Sequence, residues 1–441
     1  MNRVTGADGA PEKTWFGQPR GLTILFLTNM WETFSYYGMR AILVYYMTKT
    51  LLLDQESSST TYGFYTAFAY FTPIIGGTIA DRWLGKHRAV IIGASIMALG
   101  HFMMAFEPAF YFALATIALG NGLFLPTLPS QVNDLYRAGD PRRPWAYNIY
   151  YIGVNVGAVL GILICSALGE TIGWHWGFGA AGIGMLAGLV IYLAGGKYLP
   201  PESRAPAPAA AIAPASPARR NDWPTVQLLL GIALAVVVFR GAYEQVGNTV
   251  ALWADSGVDR ALGGITIPAG QFQLLNPLLV ILMTPLLLIR WRRLADAGRE
   301  HNPLQKMAIG ALVVAVSYAL LAVAAAMAGV DRAHWAWLVG FFLILTLGEL
   351  YILPTGLGLF ARLAPQRLGA TTVASWFLAN SAGSLAAGQV GRLWSYMSHA
   401  YFFALLAVIA TAAAGFLLLL DRPARRVVDT RTAEEKTAVA L

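Results

Sequence analysis

Apolar residues fall along this chain in long runs separated by short polar turns. Twelve such stretches are visible, at about 21–52, 60–81, 89–107, 109–136, 145–168, 175–196, 224–254, 270–289, 305–328, 334–361, 368–391 and 400–420. A helix needs roughly 20 mostly apolar residues to cross about 30 Å of hydrocarbon. The pattern therefore predicts an all-α membrane protein with twelve transmembrane helices, and the even count puts both termini on one side of the bilayer.

The sixth and seventh runs are separated by LPPESRAPAPAAAIAPASPARRNDWP, a Pro/Ala-rich segment that has too little apolar bulk for a core and reads as an extended linker. It divides the chain into a short N-terminal segment (1–20), a six-helix half (21–197), the linker (198–223), a second six-helix half (224–420) and a C-terminal tail (421–441).

Composition agrees with a membrane protein: 57% of residues are hydrophobic and only 12% are charged, against about a quarter charged in soluble domains. Mean hydropathy is +0.55. Basic residues fall in alternate loops, which hold 25 of the 31 lysines and arginines, while Asp54, Glu56, Glu107, Glu170, Asp255, Asp259 and Asp331 lie in the opposite set. Cytoplasmic loops gather Lys and Arg, so both termini are expected in the cytoplasm of a protein in the cell (inner) membrane. The net charge of +8 follows from this bias and calls for no nucleic-acid partner. The first twenty residues lack an apolar core, so no cleavable signal peptide is expected. The single cysteine, Cys165, excludes a disulfide framework and reads as a small buried hydrophobe.

Ionisable residues inside apolar runs are costly and usually face a cavity. Five stand out: Glu32 and Arg40 in the first run, Arg240 and Glu244 in the seventh, and Glu349 in the tenth. Glu32 and Arg40 are eight residues apart, which places them on one helix face, with Tyr36 between them and Tyr37 beside it. Arg240 and Glu244 have the i,i+4 spacing of a neutralising pair. Asn155, Gln245, Asn380 and Trp376 add hydrogen-bonding groups suited to a zwitterionic or amide-bearing solute, or equally to helix packing. Prolines predict breaks in the tenth helix, at Pro354, and in the eighth, at Pro277 after Asn276 and at Pro285. The six histidines show no metal spacing, and no nucleophile motif or phosphate-binding glycine loop is present. The chain does not read as an enzyme.

Two six-helix halves joined by a cytoplasmic linker resemble the major facilitator superfamily. GGTIADRWLGKHR, after the second helix, is similar to that superfamily's cytoplasmic motif, with Gly77, Asp81, Arg82 and Lys86 as a conformational latch. The resemblance narrows on ETFSYYGMRAIL, YFTPIIGGTIADRWLGKHR, LGNGLFLPTLPSQVNDLY, YYIGVNVG, YEQVGNT, LLNPL, TLGELYILPTGL and SWFLANSAGSLAAG. Together these resemble the proton-dependent oligopeptide transporters and cover nearly the whole chain.

The resemblance implies two pseudo-symmetric halves that import peptides or peptide-like compounds by alternating access. It implies a proton gradient as energy source with no bound cofactor, and a monomer. It places Tyr36, Tyr37, Arg40, Tyr70, Asn155, Gln245, Asn276, Glu349 and Trp376 at the substrate, with Glu349 meeting the peptide's amino group and Asn155 and Asn276 holding its backbone. Glu32, Glu244 and Glu349 are the expected proton-coupling carboxylates. The departures are specific. The family's Glu-x-x-Glu-Arg becomes Asn29, Glu32 and Thr33; a lysine before the fourth-helix proline becomes Leu125; and Arg240 is a cation in place of tryptophan, able to restore a lost charge at the substrate. Losing two cations points to a peptide whose carboxylate is blocked or altered. The alternatives are an exporter or facilitator of a non-peptide solute on the same fold, and transport with altered or no proton coupling.

Overall fold

The computed structural model describes residues 14–15, 17–137, 140–200, 223–363 and 369–425. Most of the linker and the terminal segments predicted above therefore lie outside the described residues. Fourteen α-helices account for nearly all of the rest: α1 (Arg20–Lys49), α2 (Gln55–Ile79), α3 (Lys86–Met103), α4 (Phe110–Phe124), α5 (Thr127–Asp134), α6 (Arg143–Thr171), α7 (Trp174–Gly195), α8 (Trp223–Tyr243), α9 (Thr249–Ser256), α10 (Leu275–Asp296), α11 (Pro303–Ala328), α12 (Ala336–Leu363), α13 (Gly369–Arg392) and α14 (His399–Leu419). The strands among the described residues are two residues long: two antiparallel pairs are local turns, and Val258–Asp259 pairs in parallel with Ala333–His334.

Eight helical segments among the described residues are long and apolar enough to cross a membrane: Glu107–Asp134, Trp145–Thr171, Trp174–Tyr198, Trp223–Ser256, Ala269–Asp296, Pro303–Ala328, Ala336–Phe360 and His399–Arg425. The other four expected spans are α1, α2, α3 and α13. Much of the apolar surface points outward, as Leu230, Val316, Val408 and Leu419 do. In a bilayer this surface meets lipid, where it costs nothing.

The expected helix breaks need correction. The helix α12 runs unbroken through Pro354, and α10 through Pro285. Each proline removes one internal hydrogen bond, which a long helix survives. Pro277 stands in the first turn of α10, where its missing N–H would be unpaired anyway. Interruptions occur elsewhere: at Leu125–Pro126 between α4 and α5, and at a 3₁₀ turn, Glu244–Gly247, between α8 and α9.

Two compact units are present. Of the described residues, the first holds those within 14–54, 68–200 and 260–281, and the second those within 55–67, 223–259 and 282–425. In the first, α1 lies against α6 and α7. The contact with α6 is a ladder of glycines, Gly153, Gly157 and Gly161, beneath Phe26, Met30 and Phe34 of α1; a Cβ at Gly157 or Gly161 would collide with the carbonyl oxygen of Met30 or Phe34. Small residues at every fourth position let membrane helices approach to backbone contact. In the same unit α3 and α4 cross at Gly93 and Gly120, where either Cβ would come within 2.8 Å of the partner's carbonyl oxygen. In the second unit α11 packs on α12 and α14, and α8 on α13. The α11–α12 crossing again pairs two glycines, Gly310 and Gly348.

The ladder makes Gly161 intolerant of bulk. Gly161→Leu is expected to lose at least about 2 kcal/mol through overpacking against backbone that cannot yield, measured as thermal unfolding of the purified protein in detergent. Gly179→Ala, which meets nothing within 4 Å, should unfold within a degree or two of the parent.

Candidate functional site

In the first unit the expected residues gather along α1. Glu32 is buried in the hydrophobic span, at 5% exposure. Its neighbour Thr33 donates from Oγ1 to the Asn29 carbonyl at 2.7 Å and also lies 3.2 Å from Glu32 Oε2. Asn29, 3% exposed, accepts through Oδ1 a hydrogen bond from the Tyr150 hydroxyl of α6 at 2.7 Å. The two positions altered from the Glu-x-x-Glu-Arg pattern, Asn29 and Thr33, thus share one buried network with the retained Glu32. Tyr150 is a fourth member that sequence reasoning missed. Its only signal was a doubled tyrosine before Asn155, with nothing to tie it to a residue 121 positions away.

Further along α1, the rings of Tyr36 and Tyr37 meet edge to face at 5.3 Å. Both are half-buried, as is Arg40 one turn beyond. Asn155 on α6 is 6% exposed and donates from Nδ2 to the Tyr151 carbonyl at 3.0 Å, so one end of its amide is engaged by its own helix. Tyr70 on α2 and Asn276 in the first turn of α10 are also half-buried in this unit.

In the second unit the i,i+4 pair forms as its spacing predicts. Arg240 and Glu244 make a direct ion pair with both side chains at most 3% exposed. Gly383 of α13 accommodates the arginine, since a Cβ there would sit 2.6 Å from Arg240 Cβ. The stacked rings of Phe239 and Tyr243 lie on the same helix, with the guanidinium 5.8 Å from the Tyr243 ring. Gln245 is fully buried and committed: it donates to the Gly241 and Ala387 carbonyls at 3.1 and 2.7 Å, and accepts from Asn248 and Thr249. Glu349 is half-buried on α12. Trp376 on α13 is 6% exposed, meets Phe360 edge-on at 5.1 Å, and occupies space that Gly356 leaves open. Asn380 donates to the Trp376 carbonyl at 2.7 Å.

At the end of α2, Ala80–Leu84 forms a single π-helical turn closed by Gly85 at φ +78°, a left-handed position that favours glycine. Asp81 and Arg82 are exposed on this turn, and Gly77 packs on Pro126. Lys86 pairs with Asp134 of α5 at 2.5 Å, a partner the motif did not name. Beside it His87 bridges the Pro200 carbonyl and the Tyr192 hydroxyl, each at 2.9 Å. In the turn before α6, Arg142 is hydrogen-bonded to Asp140 and holds its carboxyl below the usual range.

Two further carboxylates, counted from the sequence only as loop acids, organise contacts of their own. Glu56 at the start of α2 is ion-paired to Arg392 and accepts from the Tyr396 hydroxyl at 2.8 Å, while Gln55 donates to the Gly391 carbonyl at 2.9 Å. Glu170 at the end of α6 accepts from the backbone N–H groups of Ala269 and Gly270, both at 2.7 Å, and Arg260 lies 3.6 Å away.

Known proteins match this arrangement along its whole length. A family model described as the POT family fits residues 87–215 and 221–408. The di-/tripeptide transporter of Lactococcus lactis subsp. lactis is 31% identical, over 93% of this chain and 97% of its own. The peptide transporter YePEPT of Yersinia enterocolitica is 30% identical, over 99% of this chain and 100% of its own. A solved structure of the peptide transporter POT in complex with alafosfalin is 32% identical, covers 95% of this chain and 96% of its own, and superposes with a TM-score of 0.85. This all-α chain therefore has the major facilitator fold of a membrane transporter and belongs to the POT family.

Proposed function

We propose that this protein is a secondary active transporter that imports peptides or peptide-like compounds across the inner membrane, coupled to protons, by alternating access. The observation that carries this reading is end-to-end likeness to relatives named as di-/tripeptide and peptide transporters. The basic loops support termini in the cytoplasm, and the likeness supports a monomer that draws its energy from the proton gradient without a bound cofactor.

Chemistry assigns the roles. Glu349, a carboxylate inside an apolar helix, suits the ammonium group of a peptide, because ionic hydrogen bonds strengthen away from water. Tyr36, Tyr37, Tyr70, Asn155, Asn276 and Trp376 offer hydrogen bonds and aromatic faces to the peptide body. Gln245 supports them from behind, since its amide is spent within its own unit. Arg40 is the cation of α1 for a substrate anion or a carboxylate. Glu32 and Glu349 carry protons, and Glu244 is a third carrier whose charge alternates between Arg240 and a proton. Gly77, Asp81, Arg82 and Lys86 make the latch, with Asp134 as the partner of Lys86. Thr33 and Leu125, standing where the family places cations, favour peptides with a masked or replaced carboxylate over free dipeptides. On the alternative reading, a non-peptide solute uses the same scaffold.

In proteoliposomes, an inwardly directed proton gradient should drive accumulation of a transported peptide above equilibrium. Equal accumulation with and without the gradient removes proton coupling, and indifference to a panel of free and C-terminally capped dipeptides favours the non-peptide reading. Glu349→Gln should lower uptake of peptides with a free amino group at least about tenfold, the expected scale for truncating one side of a desolvated charge pair, and unchanged uptake would withdraw its role.

Glu244→Gln leaves Arg240 buried against a neutral amide and should cost roughly 3 kcal/mol or more of stability. Replacing both members by methionine should recover most of it, because desolvating an ion pair offsets much of its attraction. Thermal unfolding checks this, and loss of gradient-driven accumulation in the stable double variant assigns the Arg240–Glu244 pair, rather than either member alone, to the transport machinery.

A further inference from the structure

Tyr150 joins two helices through one hydroxyl. It donates to Asn29 Oδ1 at 2.7 Å and so fixes which end of the amide faces α6. The other end, Asn29 Nδ2, is a buried donor with no hydrogen-bond partner among the described residues, as is the Thr28 hydroxyl beside it. A buried donor left unpaired costs about 1–3 kcal/mol, so its retention calls for a reason. Asn29 and Glu32 are i,i+3 neighbours on one helix face, and Thr33 sits at hydrogen-bonding distance from both the Asn29 carbonyl and Glu32 Oε2.

We infer that Tyr150 is a positioning residue for proton binding at Glu32, acting through Asn29. The inference rests on the reading of Glu32 as a proton carrier. With Glu32 protonated, its O–H donates to Thr33 Oγ1, while the Thr33 hydroxyl donates to the Asn29 carbonyl. With Glu32 ionised, its proton has returned to water; the Thr33 hydroxyl turns to the carboxylate, and Asn29 Nδ2 is the reserve donor for the new charge. An amide held only by apolar neighbours would turn about its side-chain bonds and divide its donor between Glu32 and other acceptors. The Tyr150 hydroxyl prevents this by occupying the oxygen. Of the other groups around Glu32, Arg40 lies two turns away on the same helix, and α7 presents Gly188, whose added Cβ would face the Thr28 carbonyl and Glu32 N. From α6 the Tyr150 hydroxyl reaches this network through Asn29.

The test reads the carboxyl directly and needs no transported substrate. Infrared titration of the purified protein follows the protonated carboxyl C=O band, which is assigned to Glu32 by its loss in Glu32→Gln. In Tyr150→Phe the midpoint of that band should move by roughly half a unit or more, about a threefold change in the protonation equilibrium, while thermal unfolding stays within a few degrees of the parent. Asn29→Leu should move it similarly, and the double variant no further than the larger single, as for residues acting through one another. An unmoved midpoint in both single variants overturns the inference and leaves the transport reading intact. A Glu32 band that does not titrate between about pH 4 and pH 10 overturns the proton role of Glu32 itself.

Discussion

The position of α1 against α6 is the constraint on which the first unit depends. Three glycines on successive turns of α6 let the α1 backbone settle onto them, so that Met30 and Phe34 carbonyls occupy space that any larger residue would fill. A bond from Tyr150 to Asn29 is possible only because the helices are this close, since Tyr150 precedes the first glycine of the ladder by less than a turn. Packing and chemistry are therefore the same feature seen at two positions: the glycines set the separation, and the tyrosine uses it. Without water to solvate backbone or side chain, membrane helices gain their association from such close contact and from hydrogen bonds between them.

A polar group removed from water gains from a protein partner, and the helices meet that need unevenly: among the described residues neither ring nitrogen of the buried His101 has a hydrogen-bond partner. Gln245 is satisfied completely, with both ends of its amide engaged. Arg240 and Glu244 pair across the junction of α8 with the following 3₁₀ turn, and Gly383 supplies the space. Asn29 is satisfied at one end only. Among side chains of similar burial, this contrast separates groups that hold the fold from groups that have capacity left for a changing charge. The alteration of the α1 motif is also conservative in a physical sense. Removing a carboxylate together with an arginine leaves the local charge balanced, and the hydroxyl and amide that replace them keep Glu32 in a hydrogen-bonded setting.

Much was legible in the linear pattern. Twelve apolar runs correspond to helices, and their order and approximate lengths follow from the thickness of a bilayer. The pairing of Arg240 with Glu244 followed from i,i+4 spacing alone, because both partners lie on one span. Motifs such as ETFSYYGMRAIL and YEQVGNT were enough to indicate the family. Helix breaks were less legible. Proline is a reliable breaker only where the lost bond is not outweighed by a long, otherwise continuous helix, and so α12 passes through Pro354 while the interruption of the seventh span falls at Glu244–Gly247.

By itself, then, the sequence determined what is local: which segments enter the membrane, which carry charge, and which pairs within one span neutralise each other. Tertiary structure alone decided which distant groups meet. Tyr150 with Asn29, Lys86 with Asp134, Glu56 with Arg392, and Glu170 with the backbone of Ala269 and Gly270 are all contacts between separate elements. Nothing in spacing or hydropathy encodes them, because hydrophobic runs fix the depth of a helix in the bilayer but leave its neighbours and its rotation to packing. Here that packing is set by where the glycines fall.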